Sequence, residues 1–230
     1  MTIEQFSRTY TKYIEDLVPF GSQVYGTWNE ESDMDWICVV NEYIPEFGDS
    51  YKSDLLDIDF FTVKEFNQMF EQYDVRAMEV FFEQNNHLIL QIKDKNQFRK
   101  SFSTVFNHSW VKGKKKLITS DYEPHLAIKS VFHSLRILDF GIQILQSGKI
   151  FSFNRNNYIL EDLRQLSEKY SRLMLWEKIE SKYLSIFKEK KAIFNGLAPK
   201  TTVKSQITQV LQKHSVTPTK QLIKDLNAIL

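Results

Sequence analysis

Asp33 and Asp35 flank Met34 at the mouth of Trp36-Ile37-Cys38-Val39-Val40, a short apolar run rich in β-branched and aromatic residues. A run of that kind predicts a central strand buried on both faces. Side chains at i and i+2 of an extended segment point the same way, so the two aspartates share a face. A carboxylate at the mouth of a buried strand is costly unless something compensates its charge. These few residues place a sheet in the first part of the chain, with negative charge concentrated at one end of it.

The rest of the chain arranges itself around that strand. Leu55 to Phe61 reads as a second strand carrying Asp57 and Asp59. It runs into Thr62-Val63-Lys64-Glu65, a capping box that opens a helix through Phe70. Asp74 caps a further helix carrying Val75, Met78, Phe81 and Phe82. Upstream, Ile3 to Leu17 reads as a helix with Phe6, Tyr10, Tyr13 (or Ile14) and Leu17 on one face, broken at Pro19-Phe20-Gly21-Ser22. Beyond about residue 100 strand signals fade. Pro124 marks a helix start, the pattern from Leu126 to Leu145 is helical, and Gly148 closes it. Asn157 to Phe187 reads as one long amphipathic helix, and the remainder from about Gly196 holds two short helical patterns split at Pro218. The expected fold class is α+β: a small mixed β-sheet lobe over residues 1–98, then an all-helical lobe with a basic C-terminal tail over residues 99–230.

Charge follows the same division. Residues 1–95 carry 7 basic and 19 acidic side chains, and residues 96–230 carry 23 basic and 10 acidic, so a net charge of +1 hides halves of −12 and +13. An acidic lobe suits divalent cations and a basic one suits phosphates. Cys38 is the single cysteine, which excludes an internal disulfide and a cysteine-based zinc site. The first residues (MTIEQFSRTY) lack the apolar core of a signal peptide, and no apolar run approaches the ~20 residues that span a bilayer. The expectation is a cytoplasmic protein without a membrane partner.

Gly21-Ser22 precedes Asp33 and Asp35 by about a dozen residues, and the combination suits phosphoryl transfer from an NTP. Glycine lets backbone N–H groups approach a triphosphate closely. Mg²⁺ or Mn²⁺ takes hard oxygen ligands, and two ions ~3.5–4 Å apart bridge the reacting phosphate to the attacking oxygen. Asp33 and Asp35 can grip both ions. A third carboxylate from the adjacent strand would complete one metal and take the acceptor's proton; spacing does not choose between Asp57 and Asp59.

Gly21-Ser22-Gln23-Val24-Tyr25-Gly26-Thr27 followed by Ser32-Asp33-Met34-Asp35-Trp36-Ile37 resembles the signature of the DNA polymerase β-type nucleotidyltransferase superfamily, a Gly-Ser turn, a short helix and a DxD entering a strand. The resemblance covers roughly residues 18–62. It implies catalytic and metal-binding roles for Asp33 and Asp35. It also implies a third carboxylate between two hydrophobic residues, where Ile58-Asp59-Phe60 fits best and Leu56-Asp57-Ile58 second. The run from Ala127 to Arg136, with the Gln146-Ser147-Gly148-Lys149-Ile150 ending, is similar to a C-terminal helix of stand-alone bacterial and phage predicted nucleotidyltransferases. Lys129, His133 and Arg136 fall at i, i+4 and i+7, a polar stripe on an apolar helix. Lys129 and Arg136, with Gly21 and Ser22, are the expected nucleotide-binding residues. Trp28-Asn29 departs from the family pattern, where a small or basic residue is commoner.

The resulting expectation is a metal-dependent enzyme that moves an NMP from an NTP to a hydroxyl on RNA or tRNA, a protein or a small molecule. The alternative is a non-catalytic nucleotide-binding or interaction module on the same fold. His87, His108 and His125 show no metal spacing. Lys112-Gly113-Lys114-Lys115-Lys116 is either a phosphate contact or an exposed loop. Lys200, Lys204, Lys213, Lys220 and Lys224 make the tail a candidate RNA or partner contact.

Overall fold

The computed structural model describes residues 1–29, 32–119 and 122–200. The apolar run forms strand β2 (Met34–Val40), once its neighbours β1 (Ile14–Pro19), β3 (Ser50–Lys52) and β4 (Leu56–Thr62) are placed around it in the order β1-β2-β4-β3. β1 pairs antiparallel with β2, β4 runs parallel to β2, and β3 pairs antiparallel with β4. Both faces of the sheet are covered, as the uninterrupted apolar run requires. One face packs Cys38, Val40, Ile58 and Phe60 against Phe6 and Ile44. The other packs Val18 and Ile37 against Val80, with Phe20, Phe61 and Phe66 at its margin.

The helix expected over Ile3–Leu17 is shorter than its pattern. Helix α1 spans Ile3–Tyr10, held by a capping box between Thr2 and Gln5. Ile14 already belongs to β1, where Leu17 pairs with Cys38 and Val18 with Ile37. Satisfying the exposed edge of β2 outweighs the local helical period. The Gly-Ser turn therefore follows a strand, not a helix.

After β4, helix α3 (Val63–Glu71) starts at the anticipated capping box: the Glu65 carboxylate accepts from the Thr62 amide at 2.8 Å, and Thr62 Oγ1 accepts from the Glu65 amide at 3.3 Å. Helix α4 (Val75–Gln84) is capped by Asp74.

The helical part comprises α5 (Lys95–Ile118), α6 (Pro124–Ser147), α7 (Asn157–Lys169) and α8 (Arg172–Leu197). Phe98, Phe102, Phe106 and Trp110 recur every fourth residue and bury one face of α5. The basic run is thus part of a helix and not a loop. Gly113 abuts α6, where an added Cβ would lie 2.7 Å from Val131, while Lys116 pairs with Glu123. Gly148 closes α6 with φ +74°. The helix expected over Asn157–Phe187 is two helices. Tyr170 and Ser171 are extended between them, and Lys182 and Tyr183 of α8 fold back onto Asp162 of α7. The two short helices expected around Pro218, and the tail lysines from Lys204 to Lys224, lie outside the described residues. Among the described residues no helix is long and apolar enough to cross a membrane.

Candidate active site

Between β1 and β2 the chain makes one tight structure. The Phe20 amide donates to the Asp35 carbonyl at 2.9 Å, which ties the end of β1 to the start of β2. Gly21 then adopts φ +68° and ψ −140°, a backbone conformation that belongs almost entirely to glycine. It lies directly on the Asp35 side chain: an added Cβ would be 2.0 Å from Asp35 Oδ2. Ser22–Tyr25 forms a single helical turn, α2, which ends at Gly26 in the left-handed region. The amides of Thr27 and Trp28 both return to the Ser22 carbonyl, at 2.9 and 3.1 Å.

Asp35 and Asp57 are direct partners in the parallel register of β2 and β4, and Asp33 lies two residues ahead of Asp35. One ligand oxygen from each of the three falls within 4.8 Å of the others. Burial, followed by repulsion from Asp33 and Asp57, pushes the Asp35 carboxyl up to about 6, against the backbone amide of Ser22 and the charge of Lys52. Lys52, on β3, bonds Asp57 and approaches Asp33 to 4.0 Å. Its own pKa is raised, first by the hydrogen bond to Asp57. Three carboxylates that gather hard oxygen donors this closely fit a divalent cation well. Asp33, Asp35 and Asp57 can hold one.

Asp59, preferred from the sequence pattern, is not in this trio. It pairs in register with Ile37, farther along the strand, and approaches Arg76 Nη1 to 3.7 Å. Burial raises its pKa while Arg76 opposes the rise. It faces a separate cleft with Tyr43, Asp49, Glu65 and Arg76. Asp57, the alternate, is the carboxylate that β4 brings to the DxD pair.

The polar stripe on α6 is divided. Lys129 is exposed, whereas Arg136 is buried, its guanidinium stacked 3.3 Å from the centre of the Tyr25 ring. His133 Nδ1 accepts from Arg136 Nη2 at 2.8 Å, and burial together with that cation pushes the imidazole down to about 3. Sequence reasoning missed Lys52, Tyr25, Glu79 and Asn157. Glu79 carried a signal: it is the acid between Met78 and Val80, on a helix whose other buried residues are apolar.

The Gly-Ser turn thus lies on the Asp35 carboxylate, with Asp33 just ahead of β2 and Asp57 on the parallel strand β4 beside it, an arrangement that could hold a metal ion. Residues 1–117 match the model of the nucleotidyltransferase domain family, just over half of the chain, and the chain belongs to that family. A comparison with curated proteins finds no match.

Proposed function

We propose that this protein transfers a nucleoside monophosphate from an NTP to a hydroxyl acceptor, with release of pyrophosphate. The observation that carries the reading is the gathering of Asp33, Asp35 and Asp57 beneath the Gly21-Ser22 turn. Asp33 and Asp35 would hold Mg²⁺ or Mn²⁺, two ions in all with Asp57. Bound there, the cations supply charge neutralisation of the phosphates and acidify the acceptor hydroxyl. Gly21 and Ser22 present the backbone to the triphosphate, and exposed Lys129 is a candidate contact for its outer phosphates. The acceptor oxygen attacks the α-phosphorus, and the bond to the β-phosphate oxygen breaks. The hydroxyl proton passes to the Asp57 carboxylate and then to solvent.

RNA or tRNA, a protein hydroxyl and a small molecule are the three acceptor classes. The test is incubation with Mg²⁺ or Mn²⁺ and each α-³²P-labelled NTP, alone and with total tRNA or cell lysate. Label that moves onto one acceptor class, and no longer moves in Asp35→Asn, supports the reading and names the acceptor. NTP binding without transfer under every condition refutes it in favour of a regulatory nucleotide-binding module.

A further inference from the structure

Helix α2 carries the Gly-Ser turn, yet at four residues it is far too short to hold its own orientation. Its N-terminal end is fixed by β2, through the Phe20 amide and the Asp35 side chain. Its C-terminal end is fixed by a different part of the molecule. Tyr25 is 4% exposed and packs in the apolar cluster of helices α4 to α8, not in either cluster of the sheet.

Three helices converge on it. From α4, Glu79 accepts the Tyr25 hydroxyl proton at 3.0 Å through Oε2. From α6, Arg136 covers the ring. From α7, Asn157 Nδ2 donates to the carbonyls of Tyr25 and Gly26, at 2.7 and 3.3 Å. Glu79 and Arg136 are 2% and 6% exposed. Among the described residues, buried side-chain atoms without a hydrogen-bond partner gather here: Gln23 Nε2, Glu79 Oε1, Arg136 Nε and Asn157 Oδ1.

A buried, incompletely satisfied ionic cluster is weak evidence for stability, since apolar replacement of similar volume is often neutral or stabilising. What such a cluster does provide is a defined position. We infer that Glu79, Arg136 and Asn157 are positioning residues: they clamp α2 at Tyr25 and Gly26 and thereby set the Gly21-Ser22 turn against Asp35. The inference rests on the proposed transfer activity for its consequence, but the clamp exists independently of turnover. Arg136 then acts on the nucleotide through Tyr25, not by touching phosphate. An error of about 1 Å at a positioning group costs on the order of a hundredfold in rate.

The test compares Arg136→Met, Tyr25→Phe, Glu79→Leu and Glu79→Gln with the unaltered full-length chain. Amide hydrogen–deuterium exchange is followed in the nucleotide-free protein, and ATP affinity is measured with Mg²⁺ by equilibrium dialysis. Expected is at least tenfold faster exchange over residues 20–28 in Arg136→Met and Glu79→Leu, with α5 peptides unchanged. Mn²⁺ affinity should stay within about threefold and ATP affinity should fall at least tenfold. Glu79→Gln, which keeps an acceptor for the Tyr25 hydroxyl, should restore most of the protection. Should Arg136→Met fail to fold, Tyr25→Phe removes one hydrogen bond and decides by the same exchange. If ATP affinity falls while exchange over 20–28 is unchanged, Arg136 touches the nucleotide directly and the inference is overturned. Unchanged exchange in every variant overturns it as well. A chain that transfers no label, yet loses protection in these variants, separates failure of the proposed activity from failure of the clamp.

Discussion

Replacing Gly21 with alanine introduces a methyl carbon 2.0 Å from Asp35 Oδ2, 2.7 Å from its Cγ and 2.9 Å from its Cβ. Real Cβ atoms essentially never approach neighbours closer than 3.0 Å, so the carboxylate must retreat by at least 1.0 Å or the turn must move. The backbone at φ +68° and ψ −140° adds about 1–3 kcal/mol of strain for any L side chain. A displacement of that size at a metal ligand predicts a fall in transfer rate on the order of a hundredfold. Gly26→Ala separates strain from displacement. Gly26 also has positive φ, but its nearest obstacle is Asn157 Nδ2 at 3.5 Å, an ordinary contact. It should lose about 1–2 kcal/mol of stability to left-handed strain while keeping activity and Mn²⁺ affinity within a few-fold. The assay is label transfer beside Mn²⁺ titration and urea unfolding of both variants. Full activity in Gly21→Ala, or equal losses of metal affinity in the two variants, would refute the reasoning.

Further outcomes follow from the same geometry. Asp57→Asn should weaken Mn²⁺ binding at least tenfold, and Asp59→Asn should change it less than threefold, by calorimetric titration. Lys52→Met removes the ammonium from the trio and should tighten Mn²⁺ binding several-fold at low ionic strength, with the difference shrinking in 0.5 M salt as the exposed charge is screened (roughly a 4 Å Debye length there). Metal affinity should rise between pH 5 and 7 with a midpoint near 6, because the Asp35 carboxyl must release its proton to coordinate; a profile already flat above pH 4.5 would count against the trio. Burial raises Glu79 from 4.5 to about 7, so its native form keeps a proton that the unfolded chain releases. Its favourable contribution is complete below pH 4.5 and lost by pH 7, a change of about 3 kcal/mol at ~1.4 kcal/mol per pH unit. His133, pushed down to about 3, gives a slope of the opposite sign below 6.5. Glu79→Gln isolates the first slope, and urea midpoints of wild type and variant at pH 5 and 8 that differ equally would exclude it.

The local pattern carried the parts of this molecule that local physics decides. The buried strand, the capping box at Thr62, the Asp74 cap and the glycine closing α6 each rest on residues within a few positions of one another. What local pattern missed depends on contacts across the chain. Ile14 to Leu17 fits the helical period of the residues before it, yet Ile14–Pro19 is a strand because β2 offers an edge. Asp57 and Asp59 share a face and similar flanks, and only the pairing of β4 against β2 separates them. The break at Tyr170-Ser171 is decided by α8 folding back on α7. Arg136 looked like part of a polar stripe because Lys129 and His133 precede it at helical spacing, whereas the structure sets it against Tyr25 and beside Glu79.

The pairing of Asp35 with Asp57 also means that a cation bound at the candidate site would favour the native strand register. Side chains in a strand alternate between faces, so sliding β4 by one residue along β2 would bring Leu56 or Ile58 opposite Asp35 and turn both acidic residues of β4 to the other side. Such a slipped sheet would hide carboxylates among Phe6, Cys38 and Val40, and it would leave the DxD pair without its third oxygen donor. A cation that binds three carboxylates better than two therefore stabilises the native alignment over its nearest competitors, by the ratio of its affinities for the two arrangements. Metal in the growth medium or refolding buffer would then select the strand register during folding, before any nucleotide is bound.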